Sequence, residues 1–225
     1  MKDREPVITI DGPAGAGKGT VARRLAERLG FQLLDTGAMY RAVALSVARA
    51  GLAESGVAAL DGHLQKVEVS IVDGQVLLGD EDVGALIRTP ELGQLTSRLS
   101  AIPAVREKLT PLQRRAAGAG GVVLEGRDTG TVVCPDADVK FYLTASLEAR
   151  ARRRHAELLA LGYGVTLEAV REDVRVRDRQ DSGRTLAPLR KAPDAIEVDT
   201  TDLTIDQVVD RLAAMVEQRR CCTRS

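Results

Sequence analysis

Nine consecutive residues, Gly12-Pro13-Ala14-Gly15-Ala16-Gly17-Lys18-Gly19-Thr20, have the types and spacing of a loop that holds phosphate. A loop wrapping a phosphate must aim its backbone N–H groups inward, and side chains would block that approach, so glycine recurs. A helix beginning near Lys18 adds the partial positive charge of its N-terminus. Lys18 supplies a full charge for the outer phosphates of a nucleoside triphosphate. The usual pattern has Ser or Thr directly after the lysine, whereas here Gly19 intervenes before Thr20.

The flanking residues fit that chemistry. Val7 to Ile10 is a short apolar run between Pro6 and Asp11-Gly12-Pro13, and reads as a buried parallel strand. After the loop, Val21, Leu25 and Leu29 recur at helical spacing until Gly30. A strand over 31–34 follows, then a helix from Asp35-Thr36-Gly37 to about Ala50. Residues 67–79 alternate apolar and polar on both sides of Asp73-Gly74, which predicts an antiparallel hairpin, an insert unlike its surroundings. Helices are expected over 90–99, 103–117, 146–161, 167–181 and 204–218, the last opened by a Thr204/Gln207 capping box. Buried strands are expected over 122–124, 139–143 and 195–198. Strands alternating with helices predict an α/β fold whose parallel sheet is covered on both faces.

Composition removes several classes. The 225 residues carry 32 basic and 32 acidic side chains, against the basic excess of a nucleic-acid binder. Five aromatic residues and no Trp give no base-stacking platform. Two His far apart, and three Cys at Cys134, Cys221 and Cys222, give no metal or redox spacing, so no all-protein metal site is expected. The chain contains no Asn, which removes a GTPase that reads guanine through Asn-Lys-x-Asp. An ATPase motor wants an apolar strand ending in a metal-binding Asp; Val122-Val123-Leu124-Glu125 partly imitates one and leaves that reading open by itself. No apolar run is long enough to span a bilayer, and the charged start Met1-Lys2-Asp3-Arg4-Glu5 does not read as a signal peptide, so the cytoplasm is the expected address.

Gly17-Lys18-Gly19-Thr20 resembles the loop of nucleoside monophosphate kinases. Leu34-Asp35-Thr36-Gly37-Ala38-Met39-Tyr40-Arg41, the stretch Glu125-Gly126-Arg127-Asp128-Thr129-Gly130-Thr131-Val132-Val133, Ala187-Pro188-Leu189 and the 67–79 insert together resemble the bacterial cytidylate kinase family, in that family's order and over nearly the whole chain. The resemblance implies a P-loop fold with a five-stranded parallel core (about 1–35, 118–150 and 192–220). It also implies an acceptor-binding region with the insert (about 36–117) and a short lid (about 151–191). The implied reaction moves the γ-phosphoryl group of ATP onto CMP or dCMP, with Mg²⁺ carried by ATP and Thr20 nearby.

The resemblance also implies sites. Residues 12–20 bind ATP. Thr36, Tyr40, Arg41 and Arg127 lie around the acceptor phosphate, with Thr36 standing where Ser is common. Ser97, Arg106 and Asp128 read the cytosine edge. Arg177, Asp181 and Arg184 come from the lid, and Lys18, Arg127, Arg177 and Arg184 carry the charge of transfer. A carboxylate at Asp128 suits cytosine, which offers an amino donor, over uracil, which offers a carbonyl there. Arg177, Asp181 and Arg184, at i, i+4 and i+7, share one face of a helix that Ser182-Gly183 should fray. Arg152-Arg153-Arg154 reads as a solvated run. A phosphate acceptor, with a second pKa of roughly 6, is already a nucleophile at pH 7 and needs no base. Other readings are a UMP/CMP kinase, a kinase of a hydroxylated metabolite using Asp35 as base, or a nucleotide-binding regulator. The expected partners are ATP and CMP or dCMP, with no nucleic acid, no membrane and a monomeric chain.

Overall fold

The structure, a computed structural model, describes residues 4–72 and 74–223. The chain divides into two compact units, one formed by residues 1–33 and 119–225 and the other by residues 34–118.

The first unit is built on β1 (Val7–Asp11), every residue of which is buried. Its neighbours are β6 (Val122–Gly126) and β7 (Val139–Thr144), both parallel to it, and β7 runs parallel to β8 (Ile196–Asp199). With β2 (Gln32–Asp35) at the other edge, the five strands lie in the order β2-β6-β1-β7-β8. Burial on both faces explains why Val7–Ile10, broken only by Thr9, and Val122–Leu124 are so apolar, whereas β7 sets Lys140 between Val139 and Phe141.

α1 (Lys18–Leu29) buries Val21, Ala22, Leu25 and Ala26 in one cluster with Ile8, Phe141 and, from α8 (Ile205–Thr223), Val208, Leu212 and Val216. Leu25 and Leu212 are wholly enclosed, so truncating either to Ala costs about 2–5 kcal/mol. Gly30 ends α1 in the left-handed region, its N–H reaching Glu27 O. α6 (Leu147–Ala160) and α7 (Leu167–Ser182) are capped by Ser146 and Thr166, and they enclose a small cluster of Leu158, Val170 and Val174.

The second unit opens with α2 (Thr36–Arg49), capped by the Asp35 carboxylate on Ala38 N–H at 2.8 Å. α3 (Val57–Leu64) precedes the hairpin of β3 (Val69–Val72) and β4 (Gln75–Leu78), where Val72 pairs with Gln75. Asp73 of the expected turn lies outside the described residues, and its partner Gly74 has φ +78°. A two-residue strand, β5 (Glu81–Asp82), extends the hairpin to three strands. α4 (Pro90–Leu99) and α5 (Pro103–Ala117) each place a proline in their first turn, where the missing N–H has no helical partner to lose.

Three elements depart from the sequence expectations. α3 carries Ala58, Ala59 and Gly62 and too weak an apolar stripe to announce itself. β5 has two exposed acidic residues, with no alternation to read. α8 runs to Thr223 rather than stopping at Gln218, so the backbone of Cys221-Cys222 is helical.

Candidate active site

β1 delivers the glycine-rich loop at its carboxyl end. A Cβ on Gly12 (φ +150°) would lie 2.0 Å from Leu143 O of the neighbouring strand, and one on Gly15 (φ +74°) 2.8 Å from Arg150 O. The loop is therefore pressed against β7 and α6 so closely that side chains have no room there. Gly17, also left-handed, stands before the first turn of α1 and offers no side-chain cap, leaving that turn's N–H groups to the loop. Gly19 and Thr20 are exposed on the first turn of α1.

Lys18, only 4% exposed, donates from Nζ to Pro13 O at 2.8 Å and lies 3.6 Å from Glu125 Oε1. Burial, and then the neighbouring Arg127 guanidinium, bring its pKa down from 10.5 to about 7, against the pull of Glu125 and Asp11. A lysine in this state takes up charge readily when an anion arrives.

Strand β6 runs parallel to β1 with Asp11 beside Gly126, so Arg127 and Asp128 emerge at the same end of the sheet as the loop. Arg127 Nε donates to Asp181 Oδ2 at 2.9 Å and Nη1 to Gly126 O at 3.3 Å. Burial lowers the Arg127 pKa, but Asp181 and Glu125 outweigh it and the guanidinium stays charged. Asp181, 2% exposed, is raised by burial yet held below the usual carboxylate range by Arg127 and Arg184. Arg184 also donates to Asp181. Arg177, one turn earlier on α7, is pushed below the ordinary arginine range by burial and then by Arg127. Its Nε is buried with no hydrogen-bond partner. Lys18, Arg127, Arg177, Asp181 and Arg184 are thus electrostatically joined. The helix ends at Ser182, so Arg184 sits past it and reaches back to Asp181 from a turn. Asp128 is buried, and its carbonyl accepts from Val132 N–H and Val133 N–H of a π-helical turn, Thr129–Val133.

Two residues that the sequence reading passed over also hold the loop. Arg150 Nη1 donates to Ala14 O at 3.1 Å and to Asp178 Oδ2 at 2.5 Å, while Asp178 Oδ1 accepts from Ala14 N–H at 3.4 Å. One loop residue, Ala14, is thereby held at both its N–H and its C=O by α7 and α6. Nothing in their spacing distinguishes them from the other charges of these helices. Within the run expected to be solvated, Arg153 corrects that reading by donating to Thr200 Oγ1 at 3.0 Å, which anchors α6 to the turn after β8.

In the second unit, Thr36 and Tyr40 are buried on successive turns of α2. Arg106 of α5 places its guanidinium carbon 5.8 Å from the centre of the Tyr40 ring, within cation–π range. Its Nη1 donates to Ser100 O at 3.3 Å, and Ser100 Oγ donates to Ser97 O. Tyr40, Arg106 and the Ser97 region of α4 are therefore brought together. Arg41 turns to Asp35 Oδ2 at 3.0 Å instead, with its Nε buried and unpartnered. Both Asp35 oxygens are then engaged, one by the helix cap and one by Arg41. Among the described residues no group of three or more His, Cys, Asp or Glu converges on a point that could hold a metal ion, and no helix is long and apolar enough to cross a membrane.

The model of the family described as cytidylate kinase matches residues 8–218. A protein of Geobacter sulfurreducens named cytidylate kinase is 50% identical over 221 residues, covering 96% of this chain and 95% of that protein. A cytidylate kinase of Carboxydothermus hydrogenoformans is 51% identical over 219 residues, 94% of this chain and 97% of that one. Among solved structures, a shikimate kinase of Bacteroides thetaiotaomicron superposes with a TM-score of 0.50 at 13% identity, over 94% of this chain and 98% of its own, a likeness of fold alone. Identity near one half, sustained end to end, means that the chain belongs to the cytidylate kinase family.

Proposed function

We propose that the chain transfers the γ-phosphoryl group of ATP to CMP or dCMP, giving ADP and CDP or dCDP. An oxygen of the acceptor phosphate forms a bond to the γ-phosphorus as the bond from that phosphorus to the bridging oxygen of ADP breaks. Family membership carries the choice of acceptor. The physical support is the gathering of Lys18, Arg127 and Arg177 around one carboxylate, Asp181, with burial lowering the pKa of Lys18 and Arg177. Cations held this way are costly unless anions come to them, and phosphoryl transfer supplies several.

In this reading residues 12–20 wrap the ATP phosphates, with Lys18 at the outer ones. Arg127, Arg177 and Arg184 neutralise charge on the phosphates as they approach, and Asp181 keeps these guanidinium groups apart and oriented. Thr36, Tyr40, Arg41, Ser97, Arg106 and Asp128 hold the acceptor nucleotide, Asp128 taking the amino group of cytosine. Residues 36–117 then form the acceptor-binding region and 151–191 the lid, which excludes water and suppresses ATP hydrolysis. A Mg²⁺ ion suits these residues if most of its ligands are ATP oxygens and water, with the exposed Thr20 hydroxyl beside it; bound there it withdraws charge from the phosphates. Every residue given a role lies in one chain, so a monomer suffices, and its substrates are those of the cytoplasm. A hydroxyl acceptor deprotonated by Asp35 is disfavoured, because that carboxylate is already committed to Ala38 and Arg41.

ADP release measured with MgATP and a panel of CMP, dCMP, UMP, AMP, GMP and shikimate tests this. Turnover with CMP and dCMP well above the rest is expected. A preference for another acceptor would overturn the base assignments, and ADP release independent of acceptor would overturn the transfer itself.

A further inference from the structure

The last residue of β1 is an aspartate buried to within 4% of its surface. Its hydrogen bonds go neither to Lys18 nor to Arg127 or Asp128. Its Oδ1 accepts from Thr129 N–H at 2.9 Å and from Thr129 Oγ1 at 2.8 Å, and its Oδ2 accepts from Gly130 N–H at 2.8 Å. These donors open the π-helical turn that directly follows Arg127-Asp128. The turn lies flat on β1: a Cβ on Gly130 would stand 2.8 Å from Thr9 Oγ1 and 3.4 Å from Asp11 Oδ2. On its other side Asp11 is covalently joined to Gly12, the first residue of the phosphate loop. One carboxylate therefore ties the start of the ATP loop to the segment bearing the acceptor residues. The Asp128 side chain does not cap this turn; Asp11 from another strand takes the turn's first two N–H groups instead.

We propose that Asp11 is a positioning residue for the acceptor nucleotide, acting through Thr129 and Gly130 to set where Arg127 and Asp128 stand relative to the phosphate loop. The proposal rests on the reading of Arg127 and Asp128 as acceptor contacts. Neither Arg127 nor Asp128 is bonded by Asp11 itself. Its effect is on placement, so loss of Asp11 should be felt in acceptor recognition and in transfer rather than in ATP binding.

Asp11→Asn tests it. The amide is nearly isosteric but must turn an N–H₂ toward one of the donors that the carboxylate accepts. The expected result is a rise of about tenfold or more in KM for CMP and a narrowed CMP-over-UMP preference, with KM for ATP within about twofold of the parent. Asp128→Ala in the same assay separates the two readings. If it narrows the CMP-over-UMP preference, Asp11→Asn added to it should narrow it no further. If it leaves that preference unchanged, the base-reading role of Asp128 fails on its own, and Asp11 is judged by KM for CMP alone. A fall in kcat with both KM values and the preference unchanged would mean a smaller active fraction, and would overturn the proposal. So would a rise in KM for ATP instead of CMP. If Asp11→Asn does not fold, Thr129→Val, which removes one hydroxyl donor and keeps both backbone donors, should raise KM for CMP about two- to fivefold. No change in that variant would equally overturn it.

Discussion

Replacing Lys18 with Met should make the protein more stable while nearly abolishing its activity. The Lys18 pKa falls from 10.5 to about 7 inside the fold, chiefly through burial. At 1.36 kcal/mol per pH unit, holding the ammonium there costs about 5 kcal/mol. Methionine keeps an unbranched stem and carries no charge. Losing the charged hydrogen bond to Pro13 O returns about 1.5–3 kcal/mol of that gain. The net is about 2–3.5 kcal/mol, which for a chain of this size raises Tm by about 4–14 °C. The same change removes the charge that the proposed function sets at the outer phosphates, and kcat should fall about 10²- to 10³-fold. The stability gain also has a pH signature. The unfolded chain keeps the Lys18 proton up to pH 10.5, the folded chain only to about 7. Between those values the unfolded state binds more protons, so the parent gains stability as pH rises, while Lys18→Met lacks this contribution. The Tm difference should therefore be largest near pH 7 and shrink toward pH 10. Thermal melts across that range with steady-state kinetics at pH 7.5 decide it. A variant that melts lower than the parent, or a difference independent of pH, would refute the view that a penalised ammonium is kept for chemistry.

Other outcomes follow from the same geometry. Binding of MgATP near pH 8 should draw a proton onto Lys18; calorimetry in two buffers of different ionisation enthalpy should show net uptake, and none in Lys18→Met. Arg177→Ala should lower kcat/KM about 100-fold and leave Tm unchanged or higher, because its Nε is buried without a partner; a lower Tm with an unchanged rate would assign it to the fold. Ala187, at φ +48°, is a non-glycine residue in the left-handed region. Ala187→Gly should relieve about 1–2 kcal/mol of strain and lose about 0.5–1 kcal/mol to glycine's freedom in the unfolded chain; urea unfolding should show a gain of up to about 1.5 kcal/mol.

The parallel core was legible because its strands are short apolar runs and its helices repeat at a fixed period. Val7–Ile10, Val122–Leu124 and the α1 stripe need no tertiary information to be read. The loop was legible because Gly12, Gly15 and Gly17 stand at left-handed or crowded backbone positions that other residues fill only with strain. What escaped depends on side chains meeting across the fold. Arg150 and Asp178 grip Ala14 from two different helices, and no spacing along the chain announces a contact made over such sequence distance. Asp11 read only as the boundary of the first strand and proved to be the partner of residues 118 and 119 positions away. The π-helical turn at Thr129–Val133 is too short for any periodicity to show. Conversely, Arg153 looked like one of three equivalent charges, and only the position of Thr200 separates it from Arg152.

The interrupted make-up of the first unit has a consequence for how the chain is made. Residues 34–118 are contiguous and can fold as soon as they leave the ribosome. β1 cannot, because both of its hydrogen-bonding neighbours, β6 and β7, begin only at Val122 and Val139. At ordinary rates of synthesis this largely apolar strand waits on the order of ten seconds with both edges open. Such an edge pairs readily with other chains. The newborn protein's exposure to aggregation is therefore concentrated in Val7–Ile10, and slowing translation between β1 and β7 should lower the soluble yield more than slowing it after Thr144, when both neighbours of β1 have been made.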